Sequence, residues 1–201
     1  MTVEKRRTRA MTPARPRIQR RNAQRGRLRA MRAWRRQVSA ELIRRAAADQ
    51  QARAAGDFAT VDAENLPFLK ALVARRGWPG TTALGAEAAQ ALWLLTQHAD
   101  TDSALQAECL RLLSAAAFNG QASHTHRAYL EDRVRTNTGQ PQLFGTQYRD
   151  QRLWPVERPE DLDRRRAQVG LGPHAKYDQT MQALFAAPSN SAPTTPTGEQ
   201  P

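Results

Sequence analysis

The sequence predicts an all-α fold, a compact bundle of about five main helices with short C-terminal helices and an ordered polar loop packed across it. Apolar residues recur every three or four positions through most of residues 37–186, strand alternation is nowhere sustained, and Gly- or Pro-containing breaks separate the periodic stretches.

From Trp34 to Ala55, Val38, Leu42, Ile43 and Ala46 share one helical face, with Arg and Gln between them and Gly56 at the end. A second helix starts near Asp62 as N-cap and carries Leu66, Leu69, Leu72 and Val73 up to Gly77, with Pro67 in its early turns. Trp78, Pro79 and Gly80 then make a turn. A third helix, about 85–98, is Ala-rich and carries Leu92, Trp93 and Leu95. The fourth, capped by Asp102 or Ser103, places Leu105, Cys109, Leu112, Leu113 and Ala116 on one face, so Cys109 reads as core packing and not as a nucleophile. Gly120 ends it, and Ser123 caps a fifth through Tyr129, Leu130 and Val134 to about Arg135. Residues 136–159 are polar and irregular, short helices follow near 160–169 and 175–185, and 187–201 have the composition of a disordered tail.

The net charge of +12 is unevenly placed: residues 1–36 carry +13 and residues 37–201 carry −1. Basicity therefore describes an N-terminal arm and leaves a near-neutral helical domain over 37–186. Like charge, Pro13 and Pro16 favour an extended, disordered arm. Its arginines, among them Arg6, Arg7, Arg20, Arg21, Arg25 and Arg27, suit nucleic acid or another polyanion, an acidic partner or anionic lipid. A competing reading places the true start at Met31, which lowers the net charge to +2. No apolar run approaches the ~18 residues of a membrane span, and the arm lacks a secretory apolar core. A single cysteine allows no internal disulfide, and the cytoplasm is the natural compartment.

Phosphate-cradling Gly loops, nucleophile elbows, zinc helices and dinucleotide fingerprints are absent from the sequence, and no cofactor or metal is implied. Polar residues stand out instead: Gln97, His98 and Asp100 at a helix end, Gln106 one turn into the next helix, Asp132 and Arg133 on the fifth, and Gln142, Thr146 and Gln147 in the loop. His98 sits where a helix dipole favours imidazolium, with Asp100 or Asp102 near enough in sequence to pair with it, so proton transfer is chemically open to it. The competing reading makes this a helix–helix corner in which the acids act as caps. His124, His126 and His174 lack ligand-spaced companions. Asp132 and Arg133 diverge by ~100° around their helix, so they serve different partners, and an Arg fork holding the 136–159 loop is one of those uses. The loop amides read equally as ligand contacts or as groups that satisfy helix ends.

Several ordered motifs, namely Gly77-Trp78-Pro79, Gln97-His98-Ala99-Asp100, Tyr129-Leu130-Glu131-Asp132-Arg133, Gln140 to Gln147 and Arg165-Arg166 with Val169-Gly170-Leu171, resemble a bacterial family of unknown function over about residues 38–180. The resemblance implies no activity and carries over no catalytic residue. Phe144 departs from the Tyr that the family pattern favours before Gly-Thr-Gln, and Arg158 from an acid before Pro.

Three functions follow as expectations. One is a polar pocket for a small polar ligand, with His98, Asp100 and Asp132 as candidates for hydrolytic chemistry. Another is polyanion binding by the arm. The third is protein contact without a small-molecule site, anchored by Trp34 and Trp78.

Overall fold

The computed structural model describes residues 16–186. Its helices are α1 (Pro16–Ala55), α2 (Ala59–Arg76), α3 (Thr81–Leu84), α4 (Ala86–Gln97), α5 (Ser103–Phe118), α6 (His124–Asn137), α7 (Leu162–Gln168) and α8 (His174–Ala186). A two-stranded hairpin, β1 (Tyr148–Arg149) with β2 (Arg152–Leu153), lies in the loop after α6. The all-α expectation holds.

The Ala-rich α4 is the hub, packing against α1, α2, α3, α5 and α6. Its small residues Ala88 and Ala91 are buried, as are Leu92 and Leu95, and small side chains let neighbouring helices approach closely. Leu42, Leu69, Cys109, Leu113 and Leu130 complete the core. Burial pushes the Cys109 thiol up to about 12, consistent with a packing role. Trp34 and Trp78, the candidate anchors, are partly buried against the same core, and Arg76 covers the Trp34 ring at 4.5 Å.

Three local expectations are corrected. Residues 16–36, expected to be extended, form the first half of α1. Pro16 stands at the first helical position, where its missing N–H costs nothing, and Gln, Arg, Ala and Leu are good helix formers. The α2 helix begins at Ala59, and Asp62 lies in its first turn, bonded to Arg53 instead of capping. The turn after Trp78 contains the extra short helix α3, where a Cβ on Gly80 would stand 2.5 Å from the Gln121 Cβ. By contrast, Asp102 caps α5 by accepting from Leu105 N–H at 2.9 Å, and Ser123 caps α6. Arg6, Arg7, Pro13 and the tail 187–201 lie outside the described residues.

Candidate functional site

The loop after α6 folds back over that helix because a buried side chain supplies its acceptors. Asp132, fully buried, accepts hydrogen bonds from the backbone N–H groups of Leu143 (2.7 Å), Phe144 (3.0 Å) and Thr146 (3.0 Å), and from the Thr146 hydroxyl (2.9 Å). Burial pushes its carboxyl up, and these donors pull it back. Gln142 closes the loop from inside: its amide donates to the carbonyls of Gln147 and Trp154 and accepts from Gln147 N–H at 2.8 Å. From α7, Arg165 donates to the Leu143 carbonyl at 2.8 Å, and buried Arg166 donates to those of Phe144 and Gly172. Gly145 turns the chain with φ +64°, and a Cβ there would stand 2.7 Å from the His174 ring. Phe144 is buried against Ala128 and Val169, so the position where the family resemblance favours Tyr is a packing position. The loop's carbonyls are thus held by Arg165 and Arg166, joined from α6 by Arg135 on the Pro141 carbonyl at 2.9 Å, while Arg133, expected to fork onto the loop, reaches it at the Gln147 side chain alone.

Arg133 faces the other way. Its Nε and Nη2 donate to the two oxygens of Asp100 at 2.9 and 2.5 Å, a bidentate fork, and its Nη1 donates to Gln147 Oε1 at 3.0 Å. Asp100 also accepts from Gln106 Nε2 (3.0 Å) and Asn137 Nδ2 (2.9 Å). Its burial opposes ionisation, but the Arg133 guanidinium, with Asn137 and Gln106, outweighs that and holds the carboxyl below the ordinary range. Fully buried Gln106 also donates to the Thr96 and Gln97 carbonyls at 3.2 Å, satisfying the end of α4. With its oxygen turned inward, the Gln97 amide accepts from Leu130 N–H at 2.9 Å and Trp93 Nε1–H at 3.2 Å.

Around this ion pair is a polar cleft of about 190 Å³, lined by Asp100, Arg133, Asn137, Gln147, Tyr148 and Trp154 and edged by Thr136 and Arg149. Arg149 lies over the Trp154 ring at 4.7 Å. The hairpin positions both: β1 carries Tyr148 and Arg149, and Asp150 and Gln151, both at positive φ, make the tight turn that brings back the strand leading to Trp154. A larger concavity of about 700 Å³ between α2 and α5 is open and mostly apolar in its lining, and its charged residues are paired with each other, Lys70 with Asp102 and Arg111 with Glu108.

His98 does not line the cleft. As the C-cap of α4 it turns to α1, where Nδ1 lies 2.8 Å from Oδ2 of fully buried Asp49, not against Asp100 or Asp102 as the local spacing suggested. Arg53 Nε approaches the same nitrogen at 2.8 Å, and Arg53 also holds Asp62 at 2.6 Å. Burial lowers the His98 pKa, Asp49 opposes the shift and Arg53 adds to it, so the ring is neutral at neutral pH. Nδ1 thus meets two partners that ask opposite roles of it: accepting from Arg53 Nε–H places the ring proton on Nε2, whereas donating to Asp49 leaves Nε2 a lone pair with no hydrogen-bond partner among the described residues.

Of the polar residues marked in the sequence, Asp100, Arg133 and Gln147 line the cleft, Gln106 and Thr146 brace it, and Gln97 turns away to Leu130 and Trp93. Asp132 and Gln142 are internal loop supports, and His98 belongs to a neighbouring cluster. Sequence reasoning missed Thr136, Asn137, Tyr148, Arg149 and Trp154 in the cleft and Asp49 beside His98. Only Asp49 left a signal: it follows Leu42 and Ala46 on the buried stripe of α1, where an acid requires a partner. Among the described residues, no group of three His, Cys, Asp or Glu side chains could hold a metal ion, and no helix is long and apolar enough to cross a membrane.

Fold and site together define a helical domain with a braced polar cleft at the edge of a clamped loop. The chain belongs to the family of unknown function DUF6624, whose model matches residues 24–187 and so reaches back into the basic half of α1. No curated protein and no solved structure matches the chain.

Proposed function

We propose that this domain binds a small polar ligand carrying an anionic group in the cleft beside Asp100 and Arg133. The observation that carries the reading is the braced pair itself: four donated hydrogen bonds fix Asp100. Across the cleft, Arg149 stacks on Trp154 and has no acidic partner among the described residues. Preorganised polar groups of this kind lower the ordering cost of binding. The volume is below the ~300–1,000 Å³ of drug-sized pockets, so the ligand is small. A thermal-shift screen with phosphate, acetate and free amino acids tests this, because a ligand at 100 times its Kd stabilises by about 2.7 kcal/mol. At least one anion should raise Tm, and Arg149→Gln should abolish that rise without changing the Tm of the free protein. A flat screen, or an unchanged response in Arg149→Gln, rejects the reading.

A second reading, hydrolysis with His98 as general base, is favoured by the buried Asp49, which in the tautomer that donates Nδ1–H to it orients the ring and leaves Nε2 a lone pair. A turnover screen against esters and amides checks it. Activity that is lost in His98→Gln and falls in acid as the ring protonates supports the role, and activity indifferent to that substitution removes it.

A further inference from the structure

Residues 19–33 of α1 take no part in the core or the cleft. Each of these positions is exposed, over about 22 Å of helix. Between Arg20 and Arg36 there are eight arginines and no acid; the first acid beyond is Glu41. Among the described residues none of the eight forms an ion pair. Like charges at Arg21/Arg25, Arg25/Arg29 and Arg32/Arg36, four apart, oppose the helix, as does positive charge near its N-terminus. An anionic partner would reverse both effects.

The distribution around the axis selects the partner. At ~100° per residue, the eight arginines spread over an arc of about 200°, while Ala23, Gly26, Ala30 and Ala33 occupy the remaining side. A planar lipid surface or a single acidic helix meets only a narrow stripe. Leu28 and Met31 lie within the arginine arc, so no separate apolar face exists to enter a bilayer. A groove with two anionic walls meets the whole arc, and the ~12 Å major groove of B-form DNA admits a helix, whereas that of A-form RNA is too narrow.

We infer that the N-terminal half of α1 is a duplex-DNA-binding helix that lies in the major groove, its arginines paired with phosphates of both strands. The binding is governed by phosphate contacts and shows weak sequence preference.

The test uses the full chain and a fluorescein-labelled DNA duplex of about 20 bp, followed by anisotropy between ~50 and ~200 mM salt. With about six phosphates engaged, wild-type affinity should fall ~10³-fold across that range. Replacing Arg20, Arg21, Arg25, Arg27 and Arg29 by Gln should weaken binding at low salt at least ~100-fold and flatten the salt slope by about four to five. Gly26→Pro keeps every charge but breaks the helix, and should weaken binding ~10-fold or more. Tryptophan fluorescence checks that the core of each variant is intact. Four results overturn the inference: equal binding by the five-Gln variant, equal binding by Gly26→Pro, tighter binding of an RNA duplex, or binding to phosphatidylglycerol vesicles but not to the duplex.

Discussion

The arginines of α1 and those around the 142–147 loop are the same side chain put to opposite uses. Arg166 is 2 % exposed and donates to two backbone carbonyls, Arg165 donates to three, and Arg133 is locked onto Asp100. The eight arginines from Arg20 to Arg36 are all exposed and meet no acid among the described residues. The difference lies in the backbone beside them. Inside a long helix the carbonyls are already bonded within the helix, so guanidinium groups find no acceptor. A chain that reverses without regular structure leaves buried carbonyls and amides unpaired, and Arg165, Arg166, Asp132 and Gln142 are the groups that satisfy them. Charge counts alone miss this distinction.

The largest effect is expected at Asp132. Asp132→Ala strips the acceptor from two buried amides, one half-buried amide and a hydroxyl, and should cost about 3–5 kcal/mol in urea unfolding, with Asp132→Asn costing less because one oxygen remains. A loss below ~1 kcal/mol would show that the loop is not held as described.

A smaller effect is expected from pH. Burial is the first cause that lowers the pKa of His98, His126 and His174 below the ordinary 6.5. Between the lowered folded value and 6.5 the unfolded chain binds more protons, so stability is complete above 6.5 and is lost as pH falls below it. Tm should therefore decline on acidification from about pH 7.5 to 5, and His98→Gln should flatten part of that decline; a Tm that rises toward acid contradicts the burial of these rings. The smallest effect belongs to α1: replacing Arg20, Arg25 and Arg29 by Gln should change unfolding free energy by less than ~0.5 kcal/mol.

Helices with apolar stripes were legible because each stripe repeats locally: α4, α5 and α6 lie within two or three residues of their expected bounds. The helical start of α1 was hidden because charge and two prolines argue for an extended arm, while Pro16 at the first helical position argues the reverse. At the site, Asp100, Arg133 and Gln147 stood out as polar residues without an evident packing role. The opposing Arg149 and Trp154 carried no local mark, since the hairpin that brings them round depends on tertiary anchors, and Asn137, one turn after Arg133 at the end of α6, read as an ordinary helix-end polar residue. The pairing of His98 was misread for the same reason: nearby acids in sequence drew attention from Asp49, which lies one helix away in space.

The most direct measurement is a ¹⁵N NMR titration of the full chain with the best anion from the thermal screen, following the Trp154 indole N–H and the side-chain N–H groups of Arg133 and Arg149. The account predicts saturable shifts of these signals, with Leu105 and Leu112 in the larger α2–α5 groove unmoved. Shifts confined to that groove, or spread over the free arginines of α1 while Trp154 stays still, would contradict it.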